Sequence, residues 1–109
     1  MQKRKNFLFI TKEDNIYTLS MTPELQDDLG TVGFVDFTED KEVEEGDVIA
    51  NLEASKSVLE LQAPLAGKIV EINKTAKEEP SILNSEKPEE NWLVRMEDVD
   101  EEAFNKLED

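Results

Sequence analysis

Residue types that usually carry chemistry are scarce in this chain. There is no histidine and no cysteine, which removes the commonest general base, the commonest zinc ligand, thiolate catalysis and disulfides together. Carboxylates abound, but Glu44-Glu45, Glu78-Glu79, Glu89-Glu90 and Glu101-Glu102 are adjacent pairs without the spacing of a calcium loop and read as solvated acidic surface. What remains is lysine, a primary amine able to form a stable amide, and Lys56 has an unusual setting. It lies between Val48-Ile49-Ala50-Asn51-Leu52-Glu53 and Ser57-Val58-Leu59-Glu60-Leu61-Gln62, two strand-like runs rich in branched aliphatic residues. Only Ala54, Ser55 and Lys56 separate them, so the spacing predicts a β-hairpin with Lys56 at or beside the tip, its ammonium in water and its stem clear of the core. A lysine so presented suits modification by one enzyme and display to others, although most lysines on polar hairpins only solubilise the surface.

The neighbouring elements frame that tip. Gly46-Asp47 opens the first run, and Leu65-Ala66-Gly67 opens a third, Lys68 to Asn73, so glycines stand ten residues before and eleven after the lysine. Both are expected in tight turns that tolerate positive φ and point away from the tip. Upstream, Asn6 to Thr11 and Asn15 to Met21 are strand-like, with Lys12-Glu13-Asp14 as a hairpin connection. Thr22-Pro23-Glu24 is a helix start, with a hydroxyl cap, proline at the first position and a carboxylate in the first turn. Leu25 and Leu29 share a face and Gly30 supplies the stop. Asp27 and Asp28 fall in the last turn of this helix, where the macrodipole disfavours carboxylates. Thr31 to Phe37 reads as a central strand because both faces carry apolar residues. Thr38 to Glu45 reads as an acidic connection, and Asn73 to Glu90 as a surface excursion, helical around Thr75 to Glu79. Trp92 to Met96 forms a last strand. Asp100 caps a terminal helix, with Val99 and Phe104 as a hydrophobic staple. The core is expected to gather Val48, Leu52, Val58, Ile69, Ile72 and Trp92.

Length and charge set the outer bounds. A chain of 109 residues is the size of one domain with one modest core. Its 12 basic residues stand against 27 acidic ones, a net charge of −15. That field repels nucleic acid and anionic membrane and attracts basic protein clefts. No apolar run approaches the ~20 residues of a membrane span, and Phe7 to Ile10 is too short for a secretory core, so the expected location is cytoplasmic.

Several of these segments, in order and spacing, resemble the H protein of the glycine cleavage system. They are Glu53-Ala54-Ser55-Lys56, Ala63-Pro64-Leu65-Ala66-Gly67 running on to Asn73, Ser81-Ile82-Leu83-Asn84-Ser85, and Asn91-Trp92-Leu93-Val94. The likeness continues upstream through Thr22 to Gly30 and Val35-Asp36-Phe37, and so covers nearly the whole chain. It implies a mainly β fold over residues 1–109, a flattened barrel or sandwich of antiparallel sheets with short peripheral helices. It also implies lipoate in amide linkage on Lys56, with Glu53, Ser55 and Ser57 forming the motif that a lipoate-protein ligase or lipoyl transferase recognises. The chain departs from the usual pattern in three places. Lys56-Ser57-Val58 stands for Lys-Ala-Ala, Phe7-Leu8-Phe9 for His-Glu-Trp, and the C-terminal helical part stops at Asp109. The lysine is unaffected.

The chain looks most similar to the short H-like lipoyl carriers of some Gram-positive bacteria. That group implies a non-enzymatic carrier in lipoate relay or redox-linked regulation, targeted by a sirtuin-type ADP-ribosyltransferase and served by a macrodomain hydrolase. A carboxylate would then accept ADP-ribose, and Asp27 and Asp28 are the two selected. Their helix belongs to the resemblance, Leu25 and Leu29 turn the other face inward, and the dipole gives the aspartates no stabilising role. The runner-up is an ordinary H protein, shuttling an aminomethyl group between the decarboxylase and an aminomethyltransferase and reoxidised by dihydrolipoyl dehydrogenase. A biotin carrier also displays a lysine on a hairpin, but it favours methionine on both sides, where this chain has Ser55 and Ser57.

Overall fold

Alternating apolar residues build two antiparallel sheets in the computed structural model, which describes residues 1–109. The strands are β1 (Gln2–Lys5), β2 (Leu8–Glu13), β3 (Ile16–Met21), β4 (Val32–Phe37), β5 (Glu42–Val43), β6 (Val48–Ala54), β7 (Val58–Gln62), β8 (Gly67–Ile72) and β9 (Trp92–Glu97). The larger sheet has six strands in the order β1-β2-β3-β9-β8-β5, and the smaller has three in the order β4-β6-β7. Short helices lie around them: α1 (Pro23–Leu29), α2 (Lys74–Glu78), α3 (Pro88–Asn91) and α4 (Glu101–Asn105), with a 3₁₀ turn at Pro80–Asn84. One apolar cluster joins the layers, taking Leu8, Ile10 and Leu19 from the large sheet, Ile49, Leu52 and Leu61 from the small one, and Leu25, Leu29 and Phe104 from helices. The architecture is the mainly β one expected.

Local signals held where a segment carries its own instructions. Thr22 caps α1 by accepting from the Leu25 amide at 3.2 Å, and Gly30 ends the helix by donating its amide to Gln26 O at 3.0 Å. Asp100 caps α4 by accepting from the Glu102 amide at 3.0 Å, Phe104 is fully buried, and Val99 packs at the margin of the core.

Other expectations needed correction. Val58 is not core: it is 71% exposed, because strict alternation along β7 sends Leu59 and Leu61 inward and Val58, Glu60 and Gln62 outward. Leu52, Ile69 and Trp92 are buried, while Val48 and Ile72 are half-buried. β4 is an edge strand, and a register shift between Val32 and Phe34 places Phe34 on the outside. The bulge explains why both faces of that strand looked apolar. Lys12 and Glu13 extend β2 and leave a turn at Asp14-Asn15. Gln2–Lys5 forms an unforeseen strand, and Glu42–Val43 pairs with β8 inside the stretch read as a connection. Gly46 does take positive φ, at 93°, but Gly67 does not. Gly67 is required by crowding, since a Cβ there would lie 2.8 Å from Val99 Cγ2 and 3.0 Å from Glu97 O.

Candidate functional site

The β6–β7 hairpin closes with the Ala54 amide donating to Ser57 O at 2.9 Å, so Ser55 and Lys56 ride at its tip. Lys56 is exposed, as are Glu53, Ser55 and Ser57 around it. The tip nevertheless does not project freely. Its backbone is fastened to the end of α1 and the start of β4: the Lys56 amide donates to Leu29 O and the Ser55 amide to Thr31 O, both at 2.9 Å. In return the Thr31 amide donates to Ser55 Oγ at 3.0 Å. Lys56 Nζ donates to Asp27 O at 3.2 Å, and the lysine stem lies over Gly30. The amine is therefore accessible but aimed, its stem lying over Gly30 and outside the core.

The docking follows from helix physics. α1 leaves carbonyls free at its C-terminus and has no basic residue in its last turn, although Asp27 and Asp28 are there. The missing cation comes from Lys56, twenty-nine residues away in sequence. Gly30 makes the contact possible, with φ 76° and ψ −151° and no Cβ; a Cβ would run into Ser55 Oγ and the lysine stem. Asp27 and Asp28 are both exposed, and Asp27 lines a shallow groove with Gln26, Glu86 and Asn91. The hairpin thus brings Lys56 to the helix that carries both aspartates, while Glu53 and Ser57 stay exposed beside it in sequence.

One residue at this site lies in the stretch read as a surface excursion. Asn84, at the end of the 3₁₀ turn, accepts from the Val32 amide at 2.8 Å and donates to Gly30 O at 2.7 Å. The available signal was its place in the Ser81-Ile82-Leu83-Asn84-Ser85 segment of the resemblance. Periodicity gave none.

The arrangement of two antiparallel sheets matches a known fold. The crystal structure of a glycine cleavage system H protein from Mycobacterium marinum superposes with a TM-score of 0.77, covering 88% of this chain and 81% of that one at 24% identity. The chain belongs to the glycine cleavage H-protein family, whose model matches residues 1–109. It is 57% identical over 104 residues to a glycine cleavage system H-like protein of Staphylococcus aureus, a match covering 95% of this chain and 94% of that one. It is 38% identical over 106 residues to a glycine cleavage system H protein of Thermotoga maritima, covering 96% and 86%.

Proposed function

We propose that the chain is a non-enzymatic lipoyl carrier of the H-like type, lipoylated on Lys56 and acting in lipoate relay or redox-linked regulation, with residues 1–109 working as one carrier domain. The observation that carries this reading is the setting of Lys56, an exposed primary amine held at a hairpin tip by backbone bonds to α1. Identity of 57% to an H-like protein of nearly equal length supports this reading over the ordinary H protein, where identity is 38% and the relative is longer.

In the loading step, Lys56 Nζ first gives a proton to solvent. The neutral amine then attacks the acyl carbon of the lipoyl adenylate held by a lipoate-protein ligase; a C–N bond forms, the acyl–oxygen bond breaks, AMP leaves with the electron pair, and the nitrogen gives a second proton to solvent. Once bound, the group would supply a dithiolane whose S–S bond can take two electrons and two protons from the redox centre of a partner enzyme to give two thiols. Glu53, Ser55 and Ser57 form the rim the enzyme reads. Amide formation removes the Lys56 charge but keeps one N–H, so the root of the arm still has a donor for Asp27 O.

That adjacency extends the proposal to Asp27 and Asp28 as ADP-ribose acceptors. A carboxylate oxygen attacks the anomeric carbon of the nicotinamide riboside in NAD, the glycosidic C–N bond breaks, and nicotinamide departs with the electron pair. The resulting ester is open to hydrolysis by a macrodomain enzyme.

Incubation with lipoate, ATP and a lipoate-protein ligase is expected to add one lipoyl mass to wild type and none to Lys56→Arg, which keeps the charge but lacks the acceptor amine. Lipoate mapped to another lysine, or no transfer to wild type, overturns the carrier reading. A streptavidin-positive native protein would instead make it a biotin carrier. For the second modification, the lipoylated protein is treated with a sirtuin-type transferase and NAD. Undiminished labelling of Asp27→Asn, Asp28→Asn and the double variant would place the mark elsewhere.

A further inference from the structure

We infer that Asn84 is a positioning residue for Lys56, holding from behind the turn on which the acceptor amine is aimed. The inference rests on the carrier reading and adds to it a residue that never touches the lysine. Gly30 is gripped from two sides. Over its Cα lie Ser55 Oγ and the Lys56 stem, and its carbonyl oxygen accepts from Asn84 Nδ2 at 2.7 Å. The other end of the same amide, Asn84 Oδ1, takes the Val32 amide at 2.8 Å. One planar side chain therefore spans Gly30 and Val32. Between them is Thr31, whose carbonyl receives the Ser55 amide and whose amide donates to Ser55 Oγ.

Asn84 is itself held in place. Gln26 Nε2, from α1, donates to both Leu83 O and Ser85 O at 2.8 Å, and Asn91 Nδ2 donates to Ser85 O at 2.8 Å. Leu83 is fully buried next to it in sequence. The 3₁₀ turn is thus a buttress tied to α1, and its last residue carries the fixed geometry across to the hairpin tip.

The need for a buttress follows from the backbone it supports. Gly30 occupies a conformation open to glycine but not specified by it, so without Asn84 the Gly30–Val32 segment has other conformations to visit. The tip would visit them with it. An enzyme that accepts one geometry of the tip then sees only the fraction of carrier in that geometry, and its apparent affinity falls by that fraction while turnover at saturation does not.

The test compares wild type with Asn84→Ala, Asn84→Asp and a remote destabilised control, Phe104→Leu, all far below their unfolding midpoints. Lipoylation by a lipoate-protein ligase is measured against carrier concentration. Asn84→Ala is expected to raise KM for the carrier about tenfold with kcat unchanged. Asn84→Asp, which keeps the acceptor for the Val32 amide but sets a carboxylate oxygen against Gly30 O, should raise KM at least as much, and Phe104→Leu should match wild type. Hydrogen exchange supplies a second readout that needs no enzyme: the Lys56 and Ser55 amides should exchange faster in Asn84→Ala, with Leu19 in β3 unchanged. An unchanged KM and unchanged exchange in Asn84→Ala would overturn the inference, as would an equal KM rise in Phe104→Leu. If the wild type accepts no lipoate, the carrier reading fails, and the exchange data alone decide whether Asn84 holds the tip.

Discussion

Lys56 serves the fold before it serves any enzyme. Its amide and ammonium both donate to carbonyls at the end of α1, so the residue proposed as the lipoyl acceptor is also part of the helix cap. Gly30 is the counterpart that leaves room for it. Gly30→Ala forces an L-residue into a region of φ and ψ that is essentially reserved for glycine and drives a methyl into Ser55 Oγ. A loss of about 1–3 kcal/mol in unfolding free energy is expected, with lipoylation slowed more than the stability loss explains. Urea titration beside ligase kinetics checks both, and a variant that loads at the wild-type rate would show that the tip tolerates displacement. A second residue pair ties a small part of the stability to alkaline pH. Glu101 accepts from Lys12 Nζ at 2.9 Å, and this bond holds the ammonium pKa above its ordinary value of 10.5. Stability from the pair is complete below the unfolded pKa and drains as pH rises through the higher folded one, because the native state then holds the extra proton. The stability difference between wild type and Glu101→Gln should therefore shrink above about pH 10.5, measured by unfolding at stepped pH; a constant difference would mean the pair does not titrate with folding.

At the scale of elements, β7 tests how far alternation can be trusted. Val58 and Leu61 are both branched aliphatics on one strand, yet one is 71% exposed and the other 1%. Leu61→Ala should cost about 2–5 kcal/mol, and Val58→Ala should stay within about 0.5 kcal/mol of wild type. Comparable losses would mean the outer face of the small sheet is covered in solution. The same contrast explains what the sequence could reveal. α1, the Lys56 hairpin and β9 were legible because each carries its own signal: a cap and a stop, a three-residue connection, an apolar run. Segments that owe their conformation to distant partners were not. Gln2–Lys5 is polar and basic, and it is a strand because it pairs with β2, with Lys3 buried against Asp109 and Arg4 bridged to Glu108. The 3₁₀ turn at Pro80–Asn84 is tied down by Gln26, which no local pattern announces. At the site, the exposure of Lys56 was legible and its attachment to α1 was not, since the carbonyls it meets lie nearly thirty residues upstream.

For the whole molecule, charge outweighs any single contact. An excess of 15 negative charges is spread over a body of 36 × 28 × 22 Å. Four ion pairs, Lys3–Asp109, Lys5–Glu45, Lys12–Glu101 and Arg95–Glu71, engage only four of its 12 basic residues. At 0.01 M salt the Debye length is about 30 Å, comparable to the molecule, so carboxylates repel one another across its full width; at 0.15 M it is about 8 Å and only near neighbours interact. Folding concentrates this charge and the unfolded chain relaxes it, so salt should stabilise the protein. The same screening weakens attraction to a basic cleft, which lowers the encounter rate with a loading enzyme that uses one. The two effects have opposite signs and separate cleanly. Between 0.01 and 0.15 M sodium chloride the thermal midpoint is expected to rise by a few degrees, while kcat/KM for lipoylation falls as salt increases. A falling midpoint would mean the few ion pairs dominate over general repulsion, and a salt-independent kcat/KM would mean the loading enzyme meets the Lys56 tip without using the acidic field around it.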